Sequence, residues 1–159
     1  MMQKTLVLLK PDAVQRGLIG SITERFENVG LKIIGIKMVW VDKEFAKKHY
    51  MDHVGKKFYK VLEDFITEGP VVAMVVQGVS AIEVVRKIVG STEPKVAQPG
   101  TIRGDYAHHS YSFADKRESA VRNLIHASDS EKTAEREIGL WFDESEIHNY
   151  KTVHEMHVF

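Results

Sequence analysis

The sequence predicts a single α+β domain, residues 1–159, in which helices pack on an antiparallel four-stranded sheet. Apolar runs typical of strands alternate with segments of helical spacing, and the order is β-α-β, then helices, then β-α-β. No internal repeat, low-complexity tract or Pro/Gly/Ser-rich linker divides the chain. A chain of this length is long enough to bury roughly 70% of the surface that its unfolded form exposes.

The first β-α-β unit opens with an apolar run at residues 5–9, which Pro11 ends and which predicts a short buried strand. Apolar residues then recur at helical spacing and are followed by a glycine: Leu18, Ile22, Phe26, Val29 and Gly30. A glycine in this place is typical of a helix C-terminus. Apolar residues alternate across residues 31–41, which predicts the second strand.

Two helices and a strand come next. Asp42 is a good N-cap for a helix that continues to about Met51, and a second helix passes through Phe58 and ends at Gly69. Residues 71–76 are apolar throughout and mostly β-branched, which predicts a central strand of the sheet.

The second β-α-β unit continues with a capping-box sequence at residues 80–83 and a helix that ends at Gly90. Residues 91–105 lack periodicity and predict a loop, whereas residues 123–126 predict a short last strand. Another capping-box sequence, at residues 128–131, predicts the start of the last helix. Two split β-α-β units in this order are typical of the ferredoxin-like sandwich, a fold that hosts many unrelated functions.

The composition restricts the class of protein. The 22 basic and 22 acidic side chains cancel, so no broad field attracts nucleic acid or an acidic membrane surface. Because there is no cysteine, disulfides, thiolate nucleophiles and cysteine-based metal sites are excluded. The apolar run at residues 6–9 is shorter than a signal-peptide core, and no stretch approaches the roughly 20 apolar residues of a membrane helix. We expect a cytoplasmic protein without membrane or specific nucleic-acid partners.

Glycine-rich phosphate motifs are absent from the sequence. Neither G-x-x-x-x-G-K-[ST] nor G-x-G-x-x-G occurs. A nucleotide enzyme with this sequence must therefore hold phosphates with side chains, and the candidates are Lys10, Arg86, Thr92 and Arg103. Glycines on both sides of Arg103 suggest a backbone shaped to aim a bidentate guanidinium, and an ordinary loop charge is the alternative.

His126 is the candidate nucleophile. It ends the last predicted strand directly before a capped helix start, where backbone donors and the helix dipole favour anions. Imidazole is a competent nucleophile because its ordinary pKa is about 6.5. Glu137 on the following helix is suited to accept a hydrogen bond from one ring nitrogen, and Ser128 is suited to tether that carboxylate. A histidine that merely packs and a solvated Glu137 are the alternatives, and spacing alone does not choose between them.

Two further patterns have competing interpretations. His49 and His53 stand at i, i+4, a spacing that suits zinc, but no third ligand of matching spacing appears. Phe58 and Tyr59 are either core residues at helical spacing or a platform on which a base stacks. Stacking contributes roughly 1–3 kcal/mol and tolerates any base, so an enzyme that relied on it would be unselective among nucleotides.

Four ordered segments of the chain resemble the nucleoside diphosphate kinase family, and the resemblance extends from Lys4 to about Tyr150. The segments are TLVLLKPDAVQRG at 5–17, GPVVAMV at 69–75, PGTIRGD at 99–105 and NLIHASDS at 123–130. The last of these is similar to the family's active-site signature. Four matches in order are far more specific than any one of them.

The resemblance implies a ping-pong exchange. A nucleoside triphosphate gives its γ-phosphoryl group to Nδ1 of His126, and a second nucleoside diphosphate then collects the group. Glu137 is implied to accept from Nε2 of His126, while Tyr50 and Lys10 complete the catalytic set.

The resemblance also implies the nucleotide contacts. The phosphates are expected to be held by side chains together with Mg²⁺, and that ion is bound mainly through the phosphates themselves. The implied phosphate residues are Arg86, Thr92, Arg103 and His53. Lys10 and Asn123 are implied to bind the ribose hydroxyls, and Phe58 to stack on the base. The family further implies a homo-oligomer, more often a hexamer than a tetramer.

The sequence departs from the family pattern in three places. Lys56 and Lys57 stand where the family usually has Arg-Pro ahead of the aromatic pair. The segment 106–121 is longer than usual and rich in aromatic residues and histidine, and residues 156–159 are unfamiliar. A non-catalytic nucleotide- or RNA-binding module remains the alternative function, although no RNA-binding aromatic motif is present. A regulatory assembly protein is disfavoured because all the implied catalytic residues are retained.

Overall fold

The computed structural model describes residues 1–158 and contains four strands and nine α-helices in that part of the chain. The strands are β1 (Met2–Leu9), β2 (Lys32–Val39), β3 (Val71–Val79) and β4 (Ile125–Ala127). The helices are α1 (Pro11–Gln15), α2 (Ile19–Glu27), α3 (Lys43–His49), α4 (Tyr59–Thr67), α5 (Ala81–Val89), α6 (Ile102–Tyr106), α7 (Tyr111–Lys116), α8 (Glu131–Trp141) and α9 (Glu155–Val158). Short 3₁₀ turns lie at Met51–His53, Pro94–Val96 and Glu144–Glu146.

The four strands form one sheet in the order β2-β3-β1-β4, and every neighbouring pair is antiparallel. This arrangement confirms the predicted α+β class and the ferredoxin-like order of elements. β1 is central, and its Leu8 pairs with Ala73 on one side and with His126 on the other. The register therefore places the end of β1, and Lys10 after it, next to His126.

Each face of the sheet is covered by its own helices. Val7 and Leu9 of β1 point into a core with Phe26 of α2 and Val85 of α5. Leu6 and Leu8 point to the opposite core, which contains Ala46 of α3, Ile66 of α4 and Trp141 of α8. The alternation follows from the two-residue repeat of a strand, and burying apolar surface on both faces stabilises the sheet.

Several predicted boundaries need correction. The last strand is Ile125–Ala127 rather than 123–126, and Ser80 makes no capping hydrogen bond within residues 1–158. Its φ of +49° prevents the extended backbone of an ordinary N-cap. The second box is displaced by two residues, because Ser130 and not Ser128 caps α8 by accepting from the backbone N–H of Thr133.

Four short helices, α1, α6, α7 and α9, were not predicted. α1 and α7 are five and six residues long, too short to show a periodic apolar face. The predicted loop 91–105 is interrupted by the Pro94–Val96 turn and by the start of α6, which Thr101 caps. Within residues 1–158, no helix has the length and apolarity needed to cross a membrane. Of the unfamiliar C-terminal residues 156–159, Phe159 lies outside the described part of the chain.

Candidate active site

The site lies where the end of β1 meets the start of β4, its antiparallel neighbour. The backbone N–H of Lys10 donates to the carbonyl of Leu124 at 2.8 Å, which holds the β1 end against the chain that enters β4. A cavity of about 480 Å³ opens at this place. The predicted residues that line it are Lys10, Tyr50, His53, Arg86, Thr92, Arg103, Asn123, His126 and Glu137.

Phe58 is the one predicted site residue that does not line this cavity. The residue is 47% exposed, and its ring lies edge-on to the ring of His53, with 5.4 Å between centroids. Lys56, one of the departures from the family pattern, places its ammonium 5.8 Å from the Phe58 ring and 3.4 Å from Nδ1 of His53. Phe58 therefore lies beside the cavity as a free aromatic surface next to one of its lining residues.

His126 and Glu137 form a hydrogen-bonded pair. Nε2 of His126 is 3.0 Å from both carboxylate oxygens, and the hydroxyl of Ser128 donates to Oε2 at 2.6 Å. Burial alone would raise the pKa of Glu137, but the hydrogen bonds from His126 and Ser128 outweigh it, so the pKa is lowered. Glu137 is 3% exposed, and the side chain of His126 is 27% exposed.

The geometry of this pair selects one tautomer of the neutral His126 ring. An ionised carboxylate can only accept hydrogen bonds, so Nε2 carries the ring proton and Nδ1 keeps its lone pair. Ser128 fixes the carboxylate from its other side, and β4 and α8 hold the two partners on rigid elements. Such an arrangement can present a neutral nitrogen nucleophile to the cavity.

Lys10 and Asn123 form a second buried pair. Nζ of Lys10 donates to Oδ1 of Asn123 at 2.7 Å, and Nδ2 of Asn123 donates to the carbonyl of Thr92 at 2.9 Å. Burial and, to a lesser extent, the nearby Arg103 charge lower the pKa of Lys10 to about 8, although Asp12 opposes both. The ammonium and the amide are thus fixed before any ligand arrives.

The two arginines of the cavity differ in their surroundings. Arg103 is buried and donates to three carbonyl oxygens, those of Asn123 at 3.1 Å, Gly90 at 3.0 Å and Ile125 at 2.6 Å. Burial lowers its pKa to about 10, with a further contribution from Arg86. A guanidinium has five N–H donors, so Arg103 braces the backbone around His126 and keeps the remaining donors for a ligand. Arg86 is exposed and makes no hydrogen bond or ion pair within residues 1–158.

Leu124 has an unusual backbone conformation directly before β4. Its φ is +69°, a left-handed value that is uncommon outside glycine. The carboxylate of Asp12 accepts its N–H at 3.1 Å, while its carbonyl accepts from Lys10. Asp12 was not predicted as a site residue, although it follows Lys10 in a segment that carries the family resemblance. Its side chain fixes the turn that aims Asn123 and His126.

Sequence reasoning missed several polar and charged residues that line the cavity. These residues are His49, Asp52, Asp129, Thr133 and Arg136. Their sequence signal is weak, because charged and hydroxyl residues on helices are usually solvated.

The zinc interpretation of the i, i+4 histidines finds no support in the geometry. Among residues 1–158, the ligand atoms of His49 cluster with those of His126 and Glu137, all within 4.8 Å, and not with His53.

The long segment 106–121 is anchored to the chain that follows α5. The carbonyl of His109 accepts from the N–H of Lys95 at 3.1 Å, and Glu93 accepts the N–H of Tyr111 at 3.0 Å. Nδ1 of His109 accepts from the N–H of Arg122 at 3.4 Å, next to Asn123 of the site. None of the residues of this segment lines the cavity.

Comparison with known proteins identifies the family. The sequence profile described as nucleoside diphosphate kinase matches residues 3–147. The chain is 57% identical to a nucleoside diphosphate kinase of Pyrococcus furiosus over 148 residues, 93% of this chain and 88% of that protein. It is 49% identical to one of Borreliella burgdorferi over 156 residues, 95% of this chain and 93% of that protein. The chain belongs to the nucleoside diphosphate kinase family.

Solved structures agree with this assignment. A transition-state mimic of the Borrelia burgdorferi kinase with bound vanadate and ADP has a TM-score of 0.96 at 49% identity, covering 99% of this chain and 96% of that one. A Halobacterium salinarum nucleoside diphosphate kinase in complex with CDP has a TM-score of 0.90 at 43% identity, covering 100% and 99%. The expected enzyme class, a kinase that moves the γ-phosphoryl group of a nucleoside triphosphate to a nucleoside diphosphate, is thereby confirmed.

Proposed function

We propose that His126 carries the phosphoryl group between the two nucleotides. Its Nδ1 attacks the γ-phosphorus, the bond to the leaving diphosphate breaks, and the phosphoryl group stays on Nδ1 until a second diphosphate takes it. The observation that carries this proposal is the hydrogen bond of Nε2 to Glu137, which is itself tied to Ser128. As Nδ1 gains a bond, the ring becomes cationic, and the adjacent carboxylate stabilises that charge.

Positive side chains on the cavity wall support the phosphate roles. Phosphoryl transfer passes through a loose transition state with charge on its equatorial oxygens, so fixed cations and positioning contribute most of the catalysis. Arg86 has its guanidinium free to bind phosphate bidentately, and Arg103 contributes the donors that its carbonyl contacts leave over. Thr92 and His53, which line the same cavity, complete the phosphate contacts.

The chemistry of Lys10, Asn123 and Phe58 supports the sugar and base roles. Lys10 and Asn123, joined at 2.7 Å, present an ammonium and an amide that suit ribose hydroxyls. Phe58 offers an exposed ring on which the base stacks without hydrogen-bond selection. Tyr50, 9% exposed, closes the wall near His126, and burial raises the pKa of its hydroxyl. The enzyme therefore accepts several bases.

A kinase of this family needs a divalent metal ion, and we propose Mg²⁺ bound mainly through the nucleotide phosphates. The one group within residues 1–158 with metal-ligand spacing comprises two imidazoles and a carboxylate, whereas Mg²⁺ prefers oxygen ligands. Arg86 and Arg103 hold the phosphates that would carry the ion. When bound, Mg²⁺ supplies charge neutralisation on the phosphate oxygens.

The assembly and location remain proposals. A homo-oligomer is supported by the edge strand β2, where Ile36, Met38 and Trp40 are 55%, 57% and 68% exposed on or directly after the strand. Edge strands with exposed apolar residues favour pairing with another chain. We propose a hexamer in preference to a tetramer.

We also propose that residues 1–159 form a single domain. The absence of cysteine supports the proposal of a cytoplasmic location.

Labelling with ATP tests the assignment of His126. Incubation with ATP labelled at the γ position is expected to leave acid-labile phosphate on the wild type and none on His126→Ala. Exchange between ATP and a second diphosphate should fall below roughly 10⁻⁴ of the wild-type rate, because the covalent route is lost. His108→Ala is the matched control, because His108 is exposed and outside the cavity.

Two results would oppose the proposal. Label that persists in His126→Ala places the intermediate on another residue. Nucleotide binding without any label or exchange in the wild type identifies a non-catalytic binding module instead.

A further inference from the structure

His49 occupies a buried position behind the His126 ring. It is the last residue of α3, is 4% exposed, and its ring lies edge-on to that of His126 with 5.0 Å between centroids and 89° between planes. The rings of Tyr50 and Trp141 pack on its other sides, at 4.7 Å and 5.5 Å. The His49 ring therefore has little freedom to move, and it limits the rotation of His126.

Trp141 determines the tautomer of His49. Its indole Nε1 donates to Nδ1 of His49 at 3.2 Å, and an indole nitrogen can only donate. Nδ1 of His49 must therefore be unprotonated, and the neutral ring carries its proton on Nε2. Burial and, to a lesser extent, the nearby His126 lower the pKa of His49 to about 3. The ring is thus held neutral in one tautomer.

The absence of charge on His49 affects the nearby carboxylate of Glu137. One nitrogen of His49, one nitrogen of His126 and a carboxylate oxygen of Glu137 lie within 4.8 Å of one another. A cationic His49 would attract the carboxylate and compete with His126 for it. The charged and titratable groups around His49, from every element packed against it, are Lys10, Tyr50, His126, Arg136 and Glu137.

The position is costly for a residue that serves packing alone. Nε2 of His49 is buried and has no hydrogen-bond partner within residues 1–158. A buried donor without an acceptor reduces stability, and an apolar ring would avoid that loss. Histidine at this place instead satisfies the indole N–H with an unprotonated nitrogen and keeps a flat ring against His126.

We propose that His49 is a positioning residue for phosphoryl transfer, a neutral ring held by Trp141 that braces His126 edge-on and does not compete with His126 for Glu137. This inference rests on the proposed role of His126. His49 acts through His126 and Glu137, and its Nε2 is buried.

Ring replacement separates bracing from general packing. With saturating ATP, the single-turnover rate of His126 phosphorylation should fall about tenfold in His49→Ala, because the brace is lost. His49→Phe, which keeps a neutral ring, should stay within about threefold of the wild type. The affinity for ADP, measured by calorimetry, should be unchanged in both variants. His154→Ala is the control for a histidine lost elsewhere on the surface.

Two kinetic results would contradict the proposed role of His49. A wild-type rate in His49→Ala, or a rate in His49→Phe as low as that of His49→Ala, overturns the brace. If His49→Ala fails to fold, the rate of His49→Phe and the nitrogen measurement below still decide. If the wild type itself acquires no label, the proposed role of His126 fails first, and the two failures are thereby distinguished.

Nitrogen NMR of the imidazoles tests the tautomer directly. With the wild-type protein labelled at its histidine nitrogens, His49 should show protonated Nε2 and unprotonated Nδ1 throughout the range from about pH 5 to 8. Trp141→Phe should raise the pKa of His49, because Nδ1 is then released from the indole. Protonation of His49 within that range in the wild type, or a proton on Nδ1, overturns the inference.

Discussion

Nε2 of His126 lies 3.0 Å from both carboxylate oxygens of Glu137, so a single hydrogen-bonding contact joins the ring on β4 to the acid on α8. The eleven-residue separation joins the middle of β4 to the second turn of α8, and Ser128 between them binds the same carboxylate. The pair orients the ring as well as setting its tautomer. Both effects can be separated by changing the acid while keeping its shape.

Glu137→Gln removes the charge but retains the size of the side chain. The amide still accepts from Nε2, but it no longer stabilises the cationic ring that forms when Nδ1 gains a phosphoryl group. We expect kcat to fall on the order of 10²-fold with little change in KM. Steady-state exchange between ATP and a second diphosphate measures both constants.

The same substitution two residues earlier is the control. Glu135 is exposed on α8, and Glu135→Gln should leave kcat unchanged. An equal loss in the two variants would mean that the helix as a whole, and not the contact with His126, determines the rate.

Ser128→Ala removes the second hydrogen bond to the carboxylate. Because Ser128 is fully buried and donates to Oε2 at 2.6 Å, its loss leaves a buried acceptor partly unsatisfied. Urea unfolding should show a loss of about 1–3 kcal/mol in the free energy of unfolding. Ser145→Ala, at an exposed position, should be neutral. An unchanged stability of Ser128→Ala would show that water replaces the hydroxyl at no cost.

Lys10 should give the free enzyme a basic limb in its pH profile. Burial lowers the pKa of Lys10 to about 8, so its ammonium loses a proton as the pH rises through that value. Below that pH the charged form, which we propose binds nucleotide, persists, so kcat/KM should be level below the pKa and decline above it. A bound nucleotide adds negative charge, raises the pKa of Lys10 and moves the limb of kcat to higher pH.

Lys10→Arg provides the diagnostic comparison. A guanidinium stays charged throughout the range, so the basic limb should disappear from kcat/KM even if the overall rate is lower. Lys4→Arg at an exposed position of β1 should retain the wild-type profile. A limb that survives in Lys10→Arg must come from another group.

The pairing of His126 with Glu137 and half of the residues that line the cavity could be predicted from the sequence. His126 and Glu137 lie in or near segments of local sequence that resemble the family, and the strand and helix that carry them have clear patterns. Arg103 illustrates what could not be predicted. A glycine-flanked arginine suggested a phosphate ligand, but its three contacts with carbonyl oxygens depend on where the chain before β4 runs in space. Spacing along the chain does not contain that information.

The missed elements share a physical cause. α1 and α7 are too short to form alone, because helix nucleation is costly and their stability comes from tertiary contacts. His49 stands four residues before His53, a spacing that suits zinc, but in the structure its ring contacts Trp141 and His126 instead. Its role depends on burial, which two histidines at helical spacing do not reveal.

Asp12 offers the last test, because it holds the left-handed backbone at Leu124. Asp12→Ala leaves the buried N–H of Leu124 without its acceptor, and the φ of +69° then lacks the contact that maintains it. Urea unfolding should show a loss of about 1–3 kcal/mol, and phosphorylation of His126 should slow because the turn that aims it relaxes. Asp12→Asn keeps an oxygen at the same place and should lose less in both measurements. If the two variants lose stability and rate equally, the charge of Asp12 and not its contact with Leu124 is the property that the site requires.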